Sequence, residues 1–423
     1  MLNQLIERLD KDPFIPLNTL GVDPQWFNDN RQSILSGLSN NKYWSNTIMP
    51  LMRSGHMDSI ITDRYSYPHR VGLFPGLSCM FYCGFCGRNK NAAYERSAVD
   101  KGISIYKEVM SDAPKDGDHW RDRFRISGGQ EPLTNPRIGE LVSHGKSLGL
   151  RMGIYTNGYM LTPGYLRKQS GLFDLDYIRI SMYGYDDHSY EQITKKQGAW
   201  DLIRQNIVSW SKMEESRHIR LGINWIILPG KINDYMQLIK SLIQLQDEMQ
   251  RPLDFITVRE DFSQDLIHIS DSERADLMAV FADVDDLVKQ EMPHTKIDYG
   301  YALDPLRQGC VVGPLRMARH DQLEGKGLPQ ASVQIDTLGN VYVYHETAFL
   351  DRPGSNKFII GNAEQGVGNV VSGHLANLNR FSYIPSDTEM LDAFDHAVSL
   401  AAWAAKQDLS AGFRSTLWQS TDD

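Results

Sequence analysis

The chain has 423 residues, 41 % of them hydrophobic, which is enough to bury a large core in one large domain with attachments or in two domains. A formal net charge of −9 speaks against a general binder of nucleic acid or anionic membrane, because those partners select a positive field. No run approaches the roughly 18 consecutive apolar residues of a membrane span, and the start MLNQLIERLDKDPF lacks the pattern of a signal peptide, so a cytoplasmic protein is expected.

Residues 1–65 read as a helical preface: Met1–Leu9 and Pro24–Leu38 carry apolar positions at helical spacing, with Pro and Gly breaks between them. Packing and capping is the role expected of them. From Arg70 onward, short apolar runs alternate with helical patterns, the sign of βα units and a parallel sheet. Strands are expected over Val71–Phe74, Arg123–Ser127, Arg151–Tyr155, Tyr177–Met182, Ile219–Leu228 and Leu253–Val258, and helices near 97–111, 137–148, 163–170, 199–215, 233–249 and 271–291. Six such units imply an α/β fold with a partial (β/α)6 barrel over 66–295. Parallel barrels form their sites at the C-terminal ends of the strands, so the residues just after each run matter most.

After the first strand, within VGLFPGLSCMFYCGFCGR (Val71–Arg88), Cys79, Cys83 and Cys86 stand at C-x3-C-x2-C spacing; they are three of the chain's four cysteines. Three clustered thiols do not pair evenly, which argues against disulfides. A structural zinc would need a fourth nitrogen or sulfur at short spacing, and the nearest histidine, His69, lies ahead of the strand. A [4Fe–4S] cluster is normally held by four thiolates, so three ligands leave one iron open to a non-protein ligand. The cluster reading is preferred to zinc, and both to inert buried thiols. After the second strand comes Ser127-Gly128-Gly129-Gln130-Glu131-Pro132, whose paired glycines let backbone approach a ligand closely.

The pattern C-x3-C-x-aromatic-C, with Phe85 before the last cysteine, resembles the signature of radical S-adenosylmethionine (radical SAM) enzymes. The resemblance implies a [4Fe–4S] cluster on Cys79, Cys83 and Cys86 whose open iron chelates the methionine moiety of S-adenosyl-L-methionine, with Phe85 near the adenine. It places Ser127–Glu131 at the methionine amino group, although Gln130 is an extra residue between the glycines and Glu131. Either that carboxylate or the backbone of Gly128–Gln130 could make the contact. It puts Asn157 of Tyr155-Thr156-Asn157-Gly158 near the adenosine, Ser181 near the ribose or the methionine carboxylate, and Asn224 with the backbone around Ile227 at the adenine.

The sixth strand ends in Val258-Arg259-Glu260-Asp261-Phe262, charges that can grip substrate or move protons at a barrel mouth. Lys195 and Lys196 read equally well as a phosphate contact or a solvated helix start. Beyond the barrel, a C-terminal α+β extension over 296–423 is expected. In it Lys296–Leu303 alternates like a strand with Tyr299 and Tyr301 on one face, Arg307 and Arg316 follow, and Ala331–Asp336 and Asn340–Glu346 form a hairpin around Thr337-Leu338-Gly339. Residues 386–408 read as a closing helix. The fourth cysteine, Cys310, has nothing near it to build a second cluster.

Together SGGQEPLTNP, IILPG, DFITVREDFS, IDYGYAL and VQIDTLGNVYVYHETAF look like the deoxysugar deaminases of the radical SAM family, ammonia-lyases acting on nucleotide-linked amino sugars in antibiotic biosynthesis. The resemblance implies a 5′-deoxyadenosyl radical that takes hydrogen from a carbinol carbon, by likeness C3, followed by loss of the neighbouring amino group to give a 3-keto sugar. It also implies reduced flavodoxin or ferredoxin as electron donor. Position at strand ends suggests Glu260 and Asp261 for proton movements, Arg259, Arg307 and Arg316 for the diphosphate, and Tyr299 and Tyr301 for the base or sugar. The alternatives are a radical SAM dehydrogenase, dehydratase or epimerase of a related sugar nucleotide or aminoglycoside, an epimerase being expected to draw hydrogen from Cys310, and a zinc-stabilised binding module.

Overall fold

The alternation that begins at Arg70 becomes one sheet in the computed structural model, which describes residues 1–260, 271–300, 303 and 318–420. Its strands are β1 (Arg70–Phe74), β2 (Phe124–Ile126), β3 (Gly153–Thr156), β4 (Tyr177–Ser181), β5 (Arg220–Ile227), β6 (Phe255–Glu260), β7 (Lys296–Tyr299), β8 (Ser332–Asp336), β9 (Asn340–Tyr342) and β10 (Ile359–Asn362). They lie in the order β10-β9-β8-β1-β2-β3-β4-β5-β6-β7. Strands β1 to β7 are mutually parallel and β8 is parallel to β1, whereas β9 pairs antiparallel with both β8 and β10. All six expected strands are present, and the fold is α/β with a partial parallel barrel.

Four helices precede the sheet: α1 (Leu2–Lys11), α2 (Pro24–Gly37), α3 (Met49–Arg53) and α4 (His56–Ile61). Seven accompany the parallel strands: α5 (Ala98–Asp112), α6 (Ile138–Ser147), α7 (Pro163–Lys168), α8 (Asp187–Thr194), α9 (Ala199–Ser211), α10 (Asp234–Met249) and α11 (Asp271–Glu291). Two further helices follow among the described residues, α12 (Val367–Ala376) and α13 (Ala393–Ser410). Helix α8 was not expected from apolar spacing. Its start is written instead in a capping box, in which Asp186 accepts from the Ser189 backbone N–H at 2.7 Å and Ser189 Oγ accepts from the Asp186 N–H at 3.1 Å. No helix of the described residues is long and apolar enough to cross a membrane.

The boundary expected at residue 295 falls inside the sheet. β7 pairs with β6 from Phe255↔Lys296 to Val258↔Tyr299, and β8 pairs with β1 from Arg70↔Ser332 to Phe74↔Asp336. The hairpin expected next to β8 forms, its turn held by Asp336 Oδ1, which accepts from the N–H groups of Leu338 and Asn340 at 2.9 Å each, with Gly339 at φ +85°. The helical preface is not a separate cap either. Leu9, Phe27, Ile34, Trp44 and Ile48 share one core with Phe358, Ala397, Ala401, Leu417 and Trp418, so the two ends of the chain build a single layer beside the barrel. Arg31 ties them further, donating through Nε to the Thr416 carbonyl at 2.9 Å and through Nη2 to that of Gln419.

Along each barrel strand the side chains alternate between the helical layer and the interior. Ile223, Trp225 and Ile227 of β5 and Ile256 and Val258 of β6 belong to the large apolar core, while Asn224, Ile226 and Arg259 open into a cavity at the C-terminal end of the sheet.

Candidate active site

The cysteine loop leaves β1 and is held by its neighbours rather than by regular structure. Thr134 Oγ1 accepts from the Leu77 N–H at 2.8 Å, Asn135 Nδ2 donates to the Pro75 carbonyl at 2.9 Å, and the Glu131 N–H donates to the Ser78 carbonyl at 2.9 Å. Arg88, directly after the motif, is buried and donates to the Phe81 and Lys90 carbonyls, and Lys90 Nζ reaches the Cys86 carbonyl at 2.6 Å. These bonds bring Cys79, Cys83 and Cys86 to the rim of one cavity of about 280 Å³, with Phe85 beside them.

The thiols are reduced and unpaired with one another. Burial pushes Cys79 up to about 11, helped by the Glu131 charge, and Cys83 up to about 12, helped by the other two sulfurs. Three thiolates at this spot are therefore unfavourable until a cation balances them, which is the donor chemistry of an iron–sulfur or other soft-metal site. Asn157 Nδ2 lies 3.9 Å from Cys79 Sγ and 3.0 Å from Met80 Sδ, a donor aimed at sulfur.

The loop after β2 faces the thiols across the cavity. Gly128 and Gly129 both have positive φ, +71° and +52°, and a Cβ on Gly128 would lie 2.1 Å from the Phe74 ring, so no side chain fits there. Ser127 is buried behind them, its N–H bonded to the Leu73 carbonyl at 3.1 Å. Gln130 uses its amide to hold the Ala92 carbonyl at 2.9 Å. Glu131 is a hub: Thr156 Oγ1 donates to its Oε1 at 2.5 Å, the Leu133 N–H to Oε1 at 3.1 Å and the Asn157 N–H to Oε2 at 2.8 Å. Burial raises this carboxyl to about 7 although all three donors favour the anion. Of the two contacts left open by the extra residue, the Gly128–Gly129 backbone is presented to the cavity bare, whereas Glu131 fastens the second strand end to the third.

Ser181, Asn224 and Arg259 also line the cavity. Of the pair at the end of β5, Ile226 lines the cavity and the Ile227 side chain lies in the helical layer, which bears on the side chains and not on the backbone contact expected around Ile227. Tyr299 is likewise not at the cavity. It is buried between helices, 5.0 Å from the Phe281 ring, and donates to Asp285 Oδ1 at 2.8 Å, because β7 shows that pleat to α11. Glu260 ends β6 in register with Ile227. Its side chain, and Asp261, Tyr301, Arg307, Arg316 and Cys310, lie outside the described residues.

Several lining residues were not foreseen. Tyr155 stands inside the barrel with the Arg179 guanidinium 4.6 Å from its ring centre. Burial alone would raise its phenol, but Arg179, Arg125 and Arg259 outweigh that and bring it down to about 8. The signal was in the sequence as Arg125, Tyr155 and Arg179 at inward positions of successive strands, polar residues where a packed barrel would be apolar. Tyr183 packs 5.2 Å from Phe85. From the far end of the chain come Phe349 and Glu346, the latter paired with Arg352 at 2.9 Å directly against Gly87. No local motif marks these two; only the pairing of β8 with β1 brings them to the cysteines.

A profile described as the Radical SAM superfamily matches residues 73–237. The chain is 34 % identical, over 97 % of its own length and 88 % of the relative's, to dTDP-4-amino-4,6-dideoxy-D-glucose ammonia-lyase from Streptomyces venezuelae. It is 22 % identical to an S-adenosylmethionine-dependent nucleotide dehydratase from Lacinutrix mariniflava, over 59 % of this chain and 53 % of that one. Among solved structures, Streptococcus suis SuiB bound to S-adenosylmethionine is similar with a TM-score of 0.49 and 14 % identity, covering 80 % of this chain and 71 % of that one.

Proposed function

The chain belongs to the radical SAM superfamily, and we propose that it is an ammonia-lyase that removes the amino group from a nucleotide-linked amino deoxysugar and leaves a 3-keto sugar. The observation that carries this reading is the likeness to the ammonia-lyase through the two chain ends as well as the barrel. Agreement outside the cofactor motifs is what a common substrate class would leave.

The residues present fit the family's cofactors: three unpaired thiols on one rim, a side-chain-free Gly-Gly cradle opposite, and polar Asn157, Ser181 and Asn224 between. When bound, the [4Fe–4S] cluster and S-adenosyl-L-methionine supply a 5′-deoxyadenosyl radical, which takes a hydrogen atom from a sugar carbon. The chain's part is to bind, orient and exclude water. Cys79, Cys83 and Cys86 hold the cluster. The backbone at Gly128–Gln130 receives the methionine end, and Phe85, Asn157, Ser181, Asn224 and Ile226 surround the adenosine. Arg259, with Arg179 and Arg125 deeper in the barrel, forms the positive wall that a diphosphate needs. Tyr155, held among these arginines, stands where a sugar hydroxyl or its proton would be met. Glu260 and Asp261 remain the proposed groups for proton movement, Arg307 and Arg316 for further phosphate contact, and reduced flavodoxin or ferredoxin for the electron.

The test is anaerobic. The reconstituted enzyme is given S-adenosyl-L-methionine, reductant and TDP-4-amino-4,6-dideoxyglucose, and 5′-deoxyadenosine, ammonia and the sugar product are measured together. Ammonia with a keto sugar is expected. Substrate-dependent 5′-deoxyadenosine without ammonia would remove the lyase reading and move the enzyme to the dehydrogenases or epimerases.

A further inference from the structure

At the opposite end of the sheet from the cysteines lies a second group of metal-ligating side chains. His56 sits in α4, His69 directly precedes β1, and His119 lies in the segment between α5 and β2. One ring nitrogen from each lies within 4.8 Å of the others. The rings touch, His69 stacking on His119 at 4.5 Å and His56 meeting each edge-on at 5.0 and 5.1 Å. We propose that these three imidazoles form a site for a single divalent transition-metal ion, zinc by its ligand type, that pins the helical preface to the foot of the barrel.

Two further observations support a metal rather than plain packing. Neutral imidazoles each keep one lone pair, and the hydrogen bonds leave some of these unused. His56 faces a carbonyl with each ring nitrogen, that of Tyr67 with Nε2 at 2.9 Å and that of Ser54 with Nδ1 at 3.1 Å; a neutral ring donates to only one of them, so its other nitrogen turns a lone pair towards an acceptor unless a cation takes it. Its Nδ1 and that of His69 meet the one hydroxyl of Ser54, at 2.8 and 3.2 Å, while no hydrogen bond among the described residues uses the second nitrogen of His69 or of His119. The surroundings are also short of partners: the Tyr67 hydroxyl, Ser66 Oγ and Arg123 Nε are buried with none.

Zinc–nitrogen bonds of about 2.0–2.1 Å put tetrahedral ligands about 3.4 Å apart, so the rings must close by roughly an ångström on the ion. His119 Nε2 now accepts from Arg123 Nη2 at 3.0 Å. An ion taking that lone pair leaves Arg123 on Asp116 and the Pro114 carbonyl, and the Asp116 carboxylate offsets the added charge. The fourth position falls to water. The three histidines come from three separate segments, so the ion would add a cross-link between elements that packing and a few hydrogen bonds already join.

The test uses the full chain with its cluster already reconstituted, so that the cysteines are occupied. After passage over a chelating resin it is equilibrated with zinc, and zinc and iron are counted separately by mass spectrometry. One zinc per chain is expected in the wild type and none in His69→Gln or His119→Gln, with iron content unchanged in all three. His119 is only half-buried, which makes His119→Gln the milder variant. Cobalt(II) added to the wild type reads the site without any substitution: the visible bands of a four-coordinate ion with nitrogen ligands are expected. No zinc and no cobalt bands in the wild type would overturn the proposal, and so would zinc retained in both variants or zinc gained only as iron is lost.

Discussion

Glu131→Gln separates what burial does at the hub from what its hydrogen bonds do. The carboxylate receives three donors, at 2.5, 3.1 and 2.8 Å. An amide keeps one accepting oxygen and turns an NH2 against the Asn157 N–H, which costs about 1–3 kcal/mol for the lost bond and the opposed donors. That deficit is fixed; the wild type's stability is not. Its carboxyl moves from an ordinary 4.5 to about 7 on folding, so its contribution is complete below about pH 4.5 and is lost as pH rises towards 7, by about 3 kcal/mol in all. The variant carries no such loss, so its deficit is expected to shrink with pH and to vanish or reverse by pH 7.5. Urea unfolding of the cluster-free chain between pH 5 and 7.5 measures this, followed by the buried tryptophans Trp210 and Trp225 of the barrel core. A deficit that stays level or grows with pH would refute the reasoning, because the three donors would then stabilise the anion by more than burial opposes it.

Gly128→Ala combines a left-handed backbone with an overlap on Phe74, expected to cost about 2–5 kcal/mol and seen as a lower melting temperature with weaker S-adenosyl-L-methionine binding. Strand parity on β5 predicts opposite effects for neighbours. Ile227→Ala is expected to lower stability by about 2–5 kcal/mol with an unchanged KM, whereas Ile226→Ala raises the KM for S-adenosyl-L-methionine at small cost in stability; the reverse pattern would put the pleat the other way round. Tyr299→Phe removes the bond to Asp285 and is expected to cost about 1 kcal/mol with no change in the KM for a sugar nucleotide, a raised KM returning this tyrosine to the substrate. Replacing any one of Cys79, Cys83 and Cys86 by Ala is expected to abolish 5′-deoxyadenosine formation together with most of the bound iron.

The barrel was legible because its strands are short apolar runs with turn residues after them, and the cysteine spacing named its chemistry without help from the fold. What the sequence hid was parity and distance. Asn224 and Ile227 stand close together in the chain, yet an odd number of residues apart places them on opposite faces, and nothing in GINWIILPG says which face looks inward. Tyr299 misled for the same reason, since its partners Phe281 and Asp285 lie on a helix that it meets only after folding. Glu346 and Phe349 could not be read as site residues because their place depends on β8 lying beside β1, a pairing between residues some 260 apart in sequence. That β7 and β8 join the barrel sheet and that the preface shares a core with the C-terminal helix was hidden for a related cause: apolar periodicity shows that a helix has a buried face, and does not show which distant face buries it.

The common core of the two chain ends sets an order on biosynthesis. During translation the cysteine segment leaves the ribosome early, but β8, which closes the sheet beside β1, is still far from being made, and the partners of Phe27 and Trp44 at Leu417 and Trp418 come later still. Until then the nascent thiols stand at the end of a strand with an open edge, beside apolar helices with nothing to cover them. A ribosome-bound chain that has not yet released β8 should therefore hold these cysteines open to oxidation and to passing metals, and stable cluster delivery belongs to a chain that has passed that strand.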